Sequence, residues 1–180
     1  LVNSGLRPIS EKQSEIAHQQ ILNYFAQNQD RMSQVIETEV DVSVEKEQYI
    51  LSGRIDLLLG EDNRLELLDF KAQPRPQKEG RWLATYHQQL LVYAHILEQR
   101  YGKNPDRLAL YWTGEKNRDQ ALMFFSYEPE KVDQAGKYFD RVAQQILSRD
   151  FKVRQKPERK TCSECDFRNY CIHQGTIESL

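Results

Sequence analysis

Cysteine is scarce in this 180-residue chain: there are three, Cys162, Cys165 and Cys171, all near one end. An odd, clustered set makes a poor disulfide framework, which excludes a cross-linked secreted miniprotein and points to a reducing compartment, the cytoplasm. Long apolar runs are also missing. Mean hydropathy is -0.76, and no stretch approaches the ~20 apolar residues of a membrane span, so no membrane partner is expected. A basic stretch followed by an apolar one, the mark of a secretory leader, is not seen either. Neither sign of charge dominates: 25 Lys and Arg against 27 Asp and Glu leave a net charge of -2. That argues against a uniformly basic nucleic-acid coat while leaving room for local basic patches. Aromatic residues, by contrast, are plentiful. Nine Tyr, seven Phe and two Trp are spread along the chain, which argues for a packed core of ordinary domain size and against disorder.

The hydrophobic periodicity predicts the order α-βββ-α-β-β-α. Residues 10 to 27 read as a helix, with Ser10 and Gln13 in a capping-box pattern and Ile16, Ile21, Leu22 and Phe25 as its apolar stripe. Val35 to Glu45 alternates, with Ile36, Thr38, Val40, Val42 and Val44 on one face, so Glu37 and Glu39 fall on the polar face. After the polar turn Glu45-Lys46-Glu47-Gln48, Tyr49 to Leu59 reads as the returning strand. A third strand, Leu65 to Ala72, is apolar on both faces, as a central strand should be. A helix from about Trp82 to Arg100, strands at Arg107 to Thr113 and Ala121 to Tyr127, and a helix from Pro129 to about Ser148 complete the order. The pattern describes one α/β domain around a mixed sheet, with residues 1–160 as its core and 161–180 as a cysteine-rich tail.

Chemistry concentrates in two short runs, Gly53-Arg54-Ile55-Asp56 and Asp69-Phe70-Lys71. On a strand, side chains two apart share a face, so Asp69 and Lys71 point together and Phe70 points away. The neighbouring strand can bring Asp56 beside them across a short hairpin. Two carboxylates then offer the hard oxygen ligands that Mg²⁺ or Mn²⁺ takes, and an adjacent amine can stabilise charge developing on a phosphodiester. Taken singly, Asp69 and Lys71 also describe a cross-strand ion pair on a solvated face, and Asp56 a turn-flanking carboxylate. A strand this apolar makes burial, and hence a need for partners, the stronger reading.

Together these motifs resemble the PD-(D/E)XK nuclease superfamily, and more narrowly its RecB-like branch. That branch carries an upstream helix histidine, matched by His18; Gly-x-x-Asp, matched by Gly53 to Asp56; Asp-x-Lys, matched by Asp69 to Lys71; and Gln-x-x-x-Tyr, matched by Gln89 and Tyr93. Many members add a Cys-x2-Cys-x5-Cys segment, the spacing of Cys162, Cys165 and Cys171. The resemblance runs from residue 18 to 171 and implies a restriction-endonuclease-like core, a central mixed sheet flanked by helices. It implies that His18, Asp56, Asp69 and the Phe70 carbonyl hold the metal and that Lys71 is the catalytic lysine. Gln89 and Tyr93, one helical turn apart, would line the active site or touch DNA. Read without the resemblance, the two fit equally well into a helix's core stripe.

The resemblance also implies a [4Fe-4S] cluster on Cys162, Cys165 and Cys171. The branch's fourth, upstream cysteine has no counterpart here, which together with the abrupt start at Leu1-Val2-Asn3 suggests a domain cut from a longer chain. His173 makes a Cys3His zinc site the alternative to iron-sulfur. Arg75, Lys78 and Arg81 follow the Asp-Phe-Lys strand and are candidate DNA-backbone contacts. The implied function is a metal-dependent deoxyribonuclease acting near DNA ends. Its expected place is the C-terminal domain of a UvrD/Rep- or AddAB-type helicase-nuclease, with the helicase motor elsewhere in the chain or on a partner subunit. A stand-alone exonuclease of CRISPR adaptation and a non-catalytic DNA-end-binding module are the alternatives.

Overall fold

The computed structural model describes residues 9–61, 63–77, 80–151, 159–163, 165, 166 and 168. The chain divides into two units, Leu1–Phe139 and Asp140–Leu180. Helix α1 (Glu11–Gln27) opens the first, its N-terminus closed by the expected capping box. The Gln13 amide donates to the Ser10 hydroxyl and the Gln13 side chain accepts from the Ser10 amide, so two otherwise orphaned donors are satisfied. A 3₁₀ turn, Gln29–Gln34, leads to the strands β1 (Val35–Glu45), β2 (Ile50–Glu61) and β3 (Arg64–Lys71). Then follow α2 (Arg81–Tyr101), β4 (Arg107–Trp112), the short α3 (Arg118–Ala121), β5 (Leu122–Ser126) and α4 (Pro129–Leu147). A short α5 (Arg159–Ser163) belongs to the second unit.

The five strands stand in the order β1-β2-β3-β4-β5, antiparallel except for the parallel β3–β4 pair. That one parallel pair follows from connectivity: β3 and β4 are joined by α2, a crossover long enough to carry the chain back. β3 is therefore central, and its two faces meet two different clusters. Leu67 joins Ile55, Leu110 and Trp112 under Leu90, Ala94 and Leu97 of α2 and Val132 and Ala135 of α4. Leu68 joins Leu57, Ala109 and Tyr111 on the opposite face, where Tyr24 of α1 packs against Phe70 and Tyr111 in an edge-to-face trio. The fold is the expected α/β one, a five-stranded mixed sheet flanked by helices, consistent with a restriction-endonuclease-like core.

Two local readings of the sequence are corrected. Ile16, Ile21, Leu22 and Phe25 of α1 are exposed rather than buried. The helix rests on the sheet through Tyr24, and through Gln20 and Gln27, whose side chains bond to Thr113 and to Tyr111 and Lys116. On β1, the alternation holds only over Val40, Val42 and Val44. The β1–β2 register shifts between Val35 and Glu37, and Glu39 sits at φ 52°, a left-handed conformation that interrupts the pleat. Ile36 is thereby turned outward.

Candidate active site

The β2–β3 ladder runs from the Glu61–Arg64 pair to Leu57–Leu68 and stops one residue short of pairing Asp56 with Asp69. β3 itself continues beside β4 as far as the Lys71–Trp112 pair. The strands thus part at the two aspartates. The Phe70 amide, left without a β2 carbonyl, donates instead to Asp56 Oδ2 at 2.7 Å. This bond ties the Asp56 carboxylate to the backbone segment that carries Asp69 and Lys71.

Asp69 is 3% exposed. Its carboxylate meets Lys71 Nζ at 2.5 Å. Burial pushes the Asp69 carboxyl above its ordinary value; the Lys71 ammonium opposes that shift and the neighbouring Asp56 charge adds to it. Lys71 also donates to Gln89 Oε1 at 2.9 Å, and Gln89 Nε2 donates in turn to the Tyr93 hydroxyl at 2.8 Å. The structure therefore joins Asp56, Asp69, Lys71, Gln89 and Tyr93 in one polar network between the splayed strands and α2. Burial raises the Tyr93 phenol, as do the charges of Asp69 and Asp56, while the Gln89 hydrogen bond works the other way.

Gly53 has a steric reason to be there. A Cβ at this position would lie 2.6 Å from Tyr93 Cε1, so the absence of a side chain lets the tyrosine ring lie on β2. Gly-x-x-Asp and Gln-x-x-x-Tyr, separate in sequence, are two sides of one contact. Gly114 plays a comparable part behind the site. A Cβ there would meet the Gln73–Pro74 backbone at about 2.5 Å, so the segment leaving β3 can lie flat on the turn after β4.

One side chain of this network was not singled out by its sequence pattern. Tyr86 lies three residues before Gln89 and seven before Tyr93, on the same helix face, where spacing alone describes a core position. Its ring faces Lys71 Nζ, 4.3 Å from the centroid. His18 stands exposed on α1. Among the described residues no group of three or more His, Cys, Asp and Glu side chains forms a metal-holding set, so His18 does not join the two aspartates in one. Of the candidate basic contacts, Arg75 is exposed and its amide donates to Glu115 Oε1 at 2.7 Å. Arg81 opens α2, and Lys78 lies outside the described residues. Cys162 is buried and Cys165 exposed, both as free thiols, with the Cys165 amide donating to the Cys162 carbonyl at 3.4 Å. Cys171 and His173 lie outside the described residues.

The model of the PD-(D/E)XK nuclease superfamily matches residues 4–172. The chain belongs to this superfamily. Solved structures that share the fold include the following two. One is an exonuclease candidate from Eubacterium rectale, 13% identical, with a TM-score of 0.55 over 87% of this chain and 67% of that one. The other is the protein SSO0001, 18% identical, with a TM-score of 0.51 over 89% of this chain and 76% of that one. No curated protein sequence matches the chain. Among the described residues no helix is long and apolar enough to cross a membrane.

The donor chemistry of the site suits the superfamily's usual cofactor. Two carboxylates against one ammonium leave surplus negative charge in a largely buried place, and a divalent cation that takes one or two protein carboxylates and keeps several waters, as Mg²⁺ does, relieves it.

Proposed function

We propose that this chain is a Mg²⁺- or Mn²⁺-dependent deoxyribonuclease of the RecB-like branch that hydrolyses phosphodiester bonds near DNA ends. The observation that carries this reading is the convergence of Asp56, Asp69 and Lys71 where β2 and β3 part, with Gln89 and Tyr93 closing the network. The exonuclease candidate among the structural neighbours supports the end-directed mode.

Asp56, Asp69 and the Phe70 carbonyl would hold the cation; His18, expected as a further ligand, stands exposed on α1 and is not grouped with the two aspartates. When bound, the cation would neutralise the scissile phosphate and lower the pKa of an attacking water. Asp56 orients the segment that carries Asp69 by accepting the Phe70 amide. Lys71 presents its ammonium to the charge that builds on the phosphate in the transition state. Gln89 holds Lys71 through its amide oxygen and is itself held by Tyr93, so the amine keeps its aim. Arg75, Lys78 and Arg81 would grip the DNA backbone, making binding salt-dependent and independent of sequence.

The nuclease core would span residues 1–160, with a cysteine-rich tail in 161–180. In that tail Cys162, Cys165 and Cys171 would ligate a [4Fe-4S] cluster, with a zinc ion held by the same cysteines and His173 as the alternative. The proposed setting is cytoplasmic DNA repair or recombination, beside a helicase motor in the same chain or on a partner.

The test is cleavage of end-labelled linear DNA, single- and double-stranded, by the wild type and Lys71→Ala, with Mg²⁺, Mn²⁺ or EDTA. The expected result is metal-dependent shortening from the ends, absent with EDTA and at least ~10³-fold slower in the mutant, whose DNA binding is retained. A folded wild-type protein that binds DNA ends but cuts nothing in either metal would replace the enzyme with an end-binding module.

A further inference from the structure

We infer that Tyr86 is a positioning residue for Lys71, a role that rests on the nuclease reading given above. Lysine is a flexible point charge on a four-carbon stem, so a catalytic ammonium needs fixing from several sides. Here Lys71 Nζ meets Asp69 Oδ2 at 2.5 Å, Gln89 Oε1 at 2.9 Å and the Tyr86 ring face at 4.3 Å from its centroid. The ring face carries the negative end of the aromatic quadrupole and attracts a cation above it, more strongly where water is excluded. Lys71's side chain is only 13% exposed.

The ring is itself immobilised. Its edge packs against Trp112, ring centroids 5.7 Å apart and planes at 67°, and Trp112 is fully buried. Its hydroxyl accepts from Gln73 Nε2 at 3.3 Å, on the segment leaving β3 just beyond Lys71. Tyr86 also differs in kind from the other two partners. Asp69 is a proposed metal ligand and Gln89 is shared with Tyr93, whereas the ring has no ligand to take and can hold the ammonium throughout the reaction. The position of the charge, and so the rate of the chemical step rather than the affinity for DNA, depends on it.

The decisive experiment varies the ring's charge distribution at constant shape. Tyr86→Phe, which keeps the ring face, is the reference; mono-, di- and trifluorinated phenylalanines are then placed at position 86. The expected result is a stepwise fall in kcat with each fluorine, reaching about tenfold, at unchanged KM and unchanged Tm. Nuclear magnetic resonance gives a second reading that needs no activity. The Lys71 ε-methylene protons should be shifted upfield by the ring in the wild type and Tyr86→Phe, and lose that shift in Tyr86→Leu. A flat fluorine series, or an effect confined to KM, would make Tyr86 a packing residue and overturn the inference. If the wild type cuts no DNA, the nuclease reading fails, and the methylene shift alone then decides whether the ring holds Lys71.

Discussion

β3 carries two buried carboxylates, Glu66 at 4% and Asp69 at 3% exposure, three residues apart and on opposite faces of the sheet. By burial they are indistinguishable. Their surroundings differ in sign. Glu66 lies between two arginines, Arg31 at 2.8 Å and Arg107 at 3.1 Å, so cations outnumber the anion. Asp69 pairs with one lysine, Lys71, and also feels the charge of a second aspartate, Asp56, so anions outnumber the cation. The Glu66 cluster already holds more cations than anions, and Arg31 ties the 3₁₀ turn to the sheet. The Asp69 cluster is short of positive charge and therefore has a use for a ligand that brings it. A buried acid marks a functional site through its local charge balance, not through burial alone.

The largest expected effect separates the two acids by activity. Asp69→Asn should lower DNA cleavage at least ~10³-fold, while Glu66→Gln should cleave within ~3-fold of the wild type, both measured at saturating Mg²⁺. Equal losses in the two variants would break the comparison. The next effect is on stability and runs the other way. Glu66→Gln leaves Arg31 beside a neutral partner, and half-exposed Arg107 can turn to solvent. Urea unfolding should show a loss of about 2 kcal/mol, below the full range for a broken buried pair because of that exposure.

The smallest effect concerns pH. The folded protein holds Asp69 above its ordinary value of 3.8, chiefly through burial. The stability this group contributes is fully present below that value, where it is protonated in both states, and is lost as pH rises through the folded value. Removing the charge in Asp69→Asn should therefore raise the Tm of the metal-free protein at pH 7. The gain over wild type should shrink as pH falls toward 3.8 and below. A variant less stable than wild type at pH 7 would show that the Lys71 ion pair outweighs the burial of the charge.

Much of the site was legible because its parts repeat at the backbone's own periods. Asp69 and Lys71 share a face at strand spacing, and Gln89 and Tyr93 share one at helix spacing. The short hairpin between β2 and β3 left little freedom in where Asp56 could go. What the pattern missed depended on partners far along the chain. The stripe Ile16, Ile21, Leu22 and Phe25 read as the buried face of α1, but Tyr24 reaches Phe70 and Tyr111, and Gln20 and Gln27 bond to residues about ninety positions away. Tyr86 was indistinguishable from a core aromatic because spacing does not record which atom lies over a ring. The left-handed Glu39 broke an alternation that no turn residue announced.

Local spacing by itself determined which side chains share a face, because strand and helix geometry depend only on neighbours in the chain. It also supplied the motif order that aligns this chain with its superfamily. Only the tertiary structure decided where β2 and β3 part, which of two buried acids is left short of positive charge, and that an aromatic ring lies beneath Lys71. These depend on groups brought together from distant positions, and electrostatic balance in a buried place is set by whatever lies within a few ångströms, whatever its place in the sequence.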